Sequence, residues 1–150
     1  MSAFDGYQTN MTDSHSLCTA IEQCTGVKTS FNKIPVVIPG YYENEVAKVN
    51  IPVTHAALAA QGQHFCKGFG FREVGGKFEA VFNDMDAGRV KDTLTAIKKK
   101  YLAAEMTRYY AARGYTDITT EEVQTKRGFR THIKAYPPKT ETQATTGFRS

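Results

Sequence analysis

The second half of the chain carries the clearest alternation of apolar and polar positions. Phe69 and Phe71 alternate with other residues, Gly75–Gly76 follows, and Phe78, Ala80 and Phe82 alternate back. A two-residue Gly-Gly loop between alternating runs predicts a hairpin, because primed turns need positive φ at their centre. The simple register puts Phe69, Phe71, Phe78 and Phe82 on one face. Helix N-cap candidates occupy residues 83–86, and the period then changes to that of a helix over residues 89–113, roughly 37 Å long at 1.5 Å per residue. Val90, Leu94, Ile97, Tyr101 and Ala104 form its stripe, Lys98, Lys99, Lys100 and Arg108 lie largely on the other side, and Gly114 ends it. A second hairpin follows, over residues 118–125 and 129–136 with Lys126, Arg127 and Gly128 at its turn. Phe129, Thr131, Ile133 and Ala135 share one face of its last strand; Arg130, His132, Lys134 and Tyr136 share the other.

Toward the N-terminus the pattern is weaker. Residues 2–9 read as a first strand. Thr12 or Asp13 supplies an N-cap oxygen, and Leu17, Ala20, Ile21 and Cys24 then fall at helical spacing up to a terminating Gly26. Pro35 and Pro39–Gly40 interrupt residues 27–38, which suits an edge strand or extended segment. Residues 46–51 read as a strand stopped by Pro52, and residues 53–63 as a short helix or a loop. The last dozen residues are polar and rich in Thr. These elements predict an α+β fold: a two-layer sandwich with a mainly antiparallel sheet and two helices, over residues 12–25 and 89–113, on one face. Residues 1–136 form a single domain in this reading and residues 137–150 a polar flexible tail. The sheet face without helices is left open to a partner.

Composition narrows the class of protein. A chain of 150 residues with 41% hydrophobic content can build its own core without staples. The net charge of +4 permits an anionic partner without requiring one. Three cysteines at no framework spacing suit a reducing compartment. Neither a secretory leader nor an apolar run of membrane-spanning length is visible. The expectation is a soluble cytoplasmic protein.

Among candidate chemistries, Lys67–Gly68–Phe69–Gly70–Phe71 copies the start of the RNA-recognition-motif strand. Exposed rings there would stack on bases while Lys67 and Arg72 met phosphate. The match fails at Arg72 and Val74, and the strand order differs, so a core role for the rings competes with it. Arg130, His132 and Lys134, with Lys126 and Arg127 at the turn, make a basic ribbon suited to phosphate or to an acidic protein; a solvated face or a guarded edge is the plainer reading. His64 and Cys66 share a strand face and could join His55 around zinc, but no metal-ligand knuckle appears. Cys66 lacks the surroundings that activate a thiol. Asp84 and Asp86 suit the cap of the long helix. No catalytic residue, metal or cofactor is predicted.

The run GFRE–GG–KFEAVFND, the helix rich in Tyr, Ala and Lys ending in Gly–Tyr, and EEVQ before an alternating strand together resemble a small family of unknown function. Its members are encoded in plastid genomes, cyanobacteria and phages. The resemblance covers most of residues 1–136 and is most specific at Gly70–Phe71–Arg72, at Glu121–Glu122–Val123–Gln124 and in the helix between them; residues 27–65 depart from it. It implies a compact α/β domain without an assigned activity, and a phage source is expected from the divergence and the tail. The functional expectation is a non-enzymatic accessory or binding protein, acting through the open sheet face or the basic C-terminal hairpin on a protein partner or on its own copy. The alternative is single-stranded nucleic-acid binding through Lys67, Phe69, Phe71, Arg72, Arg130 and Lys134.

Overall fold

A computed structural model of the chain describes residues 4–40 and 46–138. The fold is α+β with antiparallel sheets, as the pattern predicts. The element order is β1 (Phe4–Gln8), α1 (Ser14–Thr25), β2 (Val36–Pro39), β3 (Val46–Val49), β4 (Ile51–Thr54), α2 (His55–Ala60), β5 (Gly68–Val74) and β6 (Lys77–Asn83). A 3₁₀ turn (Asp84–Asp86), α3 (Ala87–Ala111), β7 (Thr116–Thr125) and β8 (Gly128–Tyr136) complete it. The chain divides into two compact units, residues 1–101 and 102–150. The tail expected over residues 137–150 falls outside the described residues from 139 onward.

The first unit is built on a four-stranded antiparallel sheet in the order β1-β6-β5-β4. Its central pair is the hairpin that Gly75–Gly76 predicts, with Phe69 opposite Phe82 and Phe71 opposite Ala80. Directly opposed residues of an antiparallel pair share a face. Phe69, Phe71, Phe78, Ala80 and Phe82 therefore line one face and pack with Ile51 and Val53 of β4. Leu17, Ala20 and Ile21 of α1 and Val90, Leu94 and Ile97 of α3 cover them. Asp13 caps α1 by accepting the Ser16 N–H at 2.7 Å, and Gly26 ends it at φ 80°. The Tyr101 hydroxyl of α3 accepts the N–H groups of Thr12 and Asp13, both at 3.0 Å, and so holds the entry to α1.

The opposite sheet face is not open at its centre. The expected strand over residues 46–51 is broken at Asn50: β3 pairs with β2, while β4 crosses into the main sheet beside β5. Asn50 is buried and fixes this crossing. Its N–H donates to the Phe71 carbonyl, its side-chain oxygen accepts the Glu73 N–H, and its amide donates to the Asn32 carbonyl. Pro52 does not stop β4, because β4 is an edge strand where a missing N–H is tolerated. The β2–β3 ribbon lays Ile38 and Val49 against Val81, with Phe4, Val36 and Ala47 around them. A small second core thus covers the part of the sheet that the sequence leaves exposed.

In the second unit β7 and β8 pair with each other and with no further strand among the described residues. The register sets Glu121 opposite His132, Thr119 opposite Lys134 and Val123 opposite Arg130, with an irregularity in β7 between Thr116 and Thr119. Asp117 sits there at φ 50°. Neither strand contains a buried residue. Among the described residues no helix is long and apolar enough to cross a membrane.

Candidate functional site

The residues singled out in the sequence fall on both units. In the first, Phe69 and Phe71 are 1% and 0% exposed and lie in the main core. They are unavailable as a stacking platform. Burying a phenylalanine contributes roughly 1.5–3 kcal/mol, and stacking on a base returns about 1–3 kcal/mol, so turning both rings outward gains nothing. Arg72 lies on the other face, directly opposite Glu79, and pairs with its carboxylate. The Lys67 N–H is held by Asp86 at 2.8 Å.

The glycines of the same motif have packing roles. A Cβ on Gly70 would lie 2.7 Å from the Val49 side chain and 2.9 Å from the Ile51 carbonyl oxygen. Gly68 has φ 82°, and a Cβ there would meet the Val53 carbonyl oxygen at 2.6 Å. Glycine and phenylalanine alternate in this segment because one face of β5 meets the β2–β3 ribbon and the other meets the helices.

Asp86 does not cap the long helix as the sequence suggests. It is fully buried, and its two carboxylate oxygens accept the Cys66 and Lys67 N–H groups at 2.6 and 2.8 Å. Asn83 caps the 3₁₀ turn that precedes the helix, accepting the Met85 N–H at 3.1 Å. Beside this anchor a shallow cleft of roughly 320 Å³ is lined by His55, His64, Cys66 and Arg89. The His55 Nδ1 lies 2.8 Å from the Phe65 carbonyl oxygen. That contact requires the proton on Nδ1, leaving Nε2 as the acceptor when the ring is neutral. Among the described residues no three His, Cys, Asp or Glu side chains are placed to hold a metal ion. All three cysteines are free thiols. Burial, and next the Asp13 carboxylate, push the Cys18 thiol above its ordinary pKa, which disfavours the reactive thiolate.

The second group stays together and stays accessible. Arg130, His132 and Lys134 are exposed along one face of β8, and Lys126 and Arg127 are exposed at the turn that leads into it. Among the described residues none of these five side chains makes a hydrogen bond or ion pair. Alternate positions Phe129, Thr131, Ile133 and Ala135 are half-buried on the other face. What the sequence pattern did not single out is the sign of the neighbouring strand. β7 carries Asp117, Glu121 and Glu122 and no cation, so the ribbon pairs an acidic strand with a basic one. Counting back from the turn would have placed Glu121 between Arg130 and Lys134 on the same face.

A third surface lies on the outer side of the β2–β3 ribbon, where Val37 and Val46 are 54% and 56% exposed and nearby Ile34 is 83% exposed. The 41–45 segment joining the two strands lies outside the described residues.

Compared with known proteins, the chain matches no family model, no curated protein and no solved structure.

Proposed function

We propose that this chain is a non-enzymatic binding protein that engages a protein partner through the β7–β8 ribbon. The observation that carries this reading is a ribbon of ten and nine residues with no buried side chain, whose Lys126, Arg127, Arg130, His132 and Lys134 are exposed and, among the described residues, make no ion pair. An isolated two-stranded hairpin is marginal in water, and a second surface would complete it. Of the two surfaces expected from the sequence, the ribbon is favoured over the sheet face, because β2 and β3 occupy the centre of that face.

Nucleic acid is the second reading. A two-stranded ribbon fits the major groove of a duplex, and Lys126, Arg127, Arg130 and Lys134 supply phosphate contacts. The buried Phe69 and Phe71 remove the single-strand stacking version of this reading, and the three carboxylates of β7 oppose a polyanion.

The test is a photo-crosslinking side chain at Thr119, which is exposed opposite Lys134, compared with one at Lys77 in the first unit. In extracts of the cells that encode the chain, nuclease-resistant protein adducts at Thr119 and not at Lys77 are expected. Equal labelling at both sites would sink the ribbon reading. Adducts that nuclease removes would transfer it to nucleic acid.

A further inference from the structure

The ribbon has two free edges among the described residues, and they are not equivalent. The β7 edge is interrupted by the irregularity between Thr116 and Thr119, where Asp117 takes a left-handed conformation. Such an irregularity bends a strand and disrupts its ladder. β8 pairs with β7 without interruption from Gly128 to Lys134 and contains no proline, so its outer edge is regular over that span. Its residues alternate strictly, with Arg130, His132 and Lys134 on one face and Phe129, Thr131, Ile133 and Ala135 on the other.

Resting on the ribbon reading above, we infer that the outer edge of β8 receives an extended segment of a partner protein as a third strand, one alternating acidic and aliphatic residues. The main-chain groups of an open edge supply the affinity in strand addition, and alternate side chains supply the selectivity. A strand laid beside β8 sets its acidic positions next to Arg130, His132 and Lys134. Its aliphatic positions then extend the face that holds Phe129 and Ile133. Opposite charges on adjacent strands attract and like charges repel, so the same residues reject a basic strand.

Charge also opposes the symmetric pairings of this ribbon with a second copy. A two-fold antiparallel pairing of β8 with itself, centred on His132, would put each Arg130 beside the other copy's Lys134. Pairing β7 with itself brings Glu121 and Glu122 of one copy against those of the other. Basic residues on an edge commonly guard it against its own kind, and here that guard leaves an acidic strand as the complementary guest.

The probe is a soluble peptide of alternating glutamate and valine, titrated into the isotopically labelled full chain and followed by amide NMR shifts. Shifts concentrated in Gly128–Tyr136 are expected. A lysine–valine peptide is expected to bind roughly tenfold or more weakly, the scale of two cross-strand charge pairs changing sign. A glutamate–valine peptide with alternate backbone amides methylated keeps its charge but cannot complete a ladder, and it is expected not to bind. Arg130→Glu/Lys134→Glu is expected to reverse the preference between the two charged peptides; if that variant misfolds, Arg130→Gln/Lys134→Gln is expected to abolish it. Equal binding of the methylated peptide, shifts outside β8, or no binding at millimolar peptide would overturn strand addition. Sedimentation of the free chain as a dimer that Arg130→Glu/Lys134→Glu dissolves would also overturn it, in favour of a second copy. If strand addition fails while Thr119 still captures a protein, the ribbon reading stands without it; if Thr119 captures nothing, both fall.

Discussion

Gly70 carries no chemistry, yet its position decides how the KGFGF segment is read. The same five residues suit an RNA-facing strand or a strand packed on both sides. The difference lies in whether anything touches the glycine. Val49 and the Ile51 carbonyl occupy the space a Cβ would need, at 2.7 and 2.9 Å. Gly70→Ala is therefore expected to destabilise the protein by roughly 1–3 kcal/mol, the usual cost of overpacking a filled site. Gly88, near the start of α3, is the control. A Cβ there meets nothing within 4 Å, and alanine is the better helix former by roughly 0.5–1 kcal/mol. Urea denaturation should move the midpoint down for Gly70→Ala and up for Gly88→Ala. A neutral Gly70→Ala would mean that the β2–β3 ribbon does not press on β5.

Elements whose signals are local were legible, and elements fixed at a distance were not. The first hairpin follows from Gly75–Gly76 and period-two alternation, and α1 from Asp13, its apolar stripe and Gly26. The break at Asn50 was hidden because it depends on Asn32, eighteen residues earlier, and on Phe71 and Glu73 across the sheet. The expectation of an open sheet face fails at its centre for the same reason, since nothing in residues 36–49 announces which sheet face they will cover. On the candidate site, the basic face of β8 was readable from alternation alone. The burial of Phe69 and Phe71 was not, because a strand's pattern gives two faces without saying which is inward. Helical spacing places Tyr101 in the stripe of the long helix, but its hydroxyl acts 88 and 89 residues away, on Asp13 and Thr12. Tyr101→Phe keeps the ring and removes the acceptor. It is expected to cost about 1 kcal/mol, near the mean for a hydrogen bond, because water can reach the exposed Thr12. Amide exchange in the first turn of α1 should quicken more than elsewhere. A variant with unchanged stability and unchanged exchange there would show that the hydroxyl does not hold that entry.

At the scale of the whole molecule the chain distributes its apolar burial unevenly. Residues 1–101 hold both hydrophobic clusters, while residues 102–138 contain no buried side chain. Local stability follows burial and contact density, and free energies of opening range from near zero up to the global value. The amides of β5 and β6, central in a four-stranded sheet over a phenylalanine core, should exchange only through global unfolding. Those of β7 and β8, which among the described residues pair with each other and no further strand, should open at a much smaller free energy. Hydrogen exchange resolved by mass spectrometry is expected to protect residues 68–83 far longer than residues 116–136. The contrast should narrow when a partner is bound, because a ligand selective for the closed ribbon stabilises it in proportion to the logarithm of its concentration over Kd. Equal protection in the free chain would mean that the ribbon already has the stability of the core, removing the reason to seek a partner for it. A protected core with a fast ribbon that slows on adding the glutamate–valine peptide would tie the weakest element of the fold to its function.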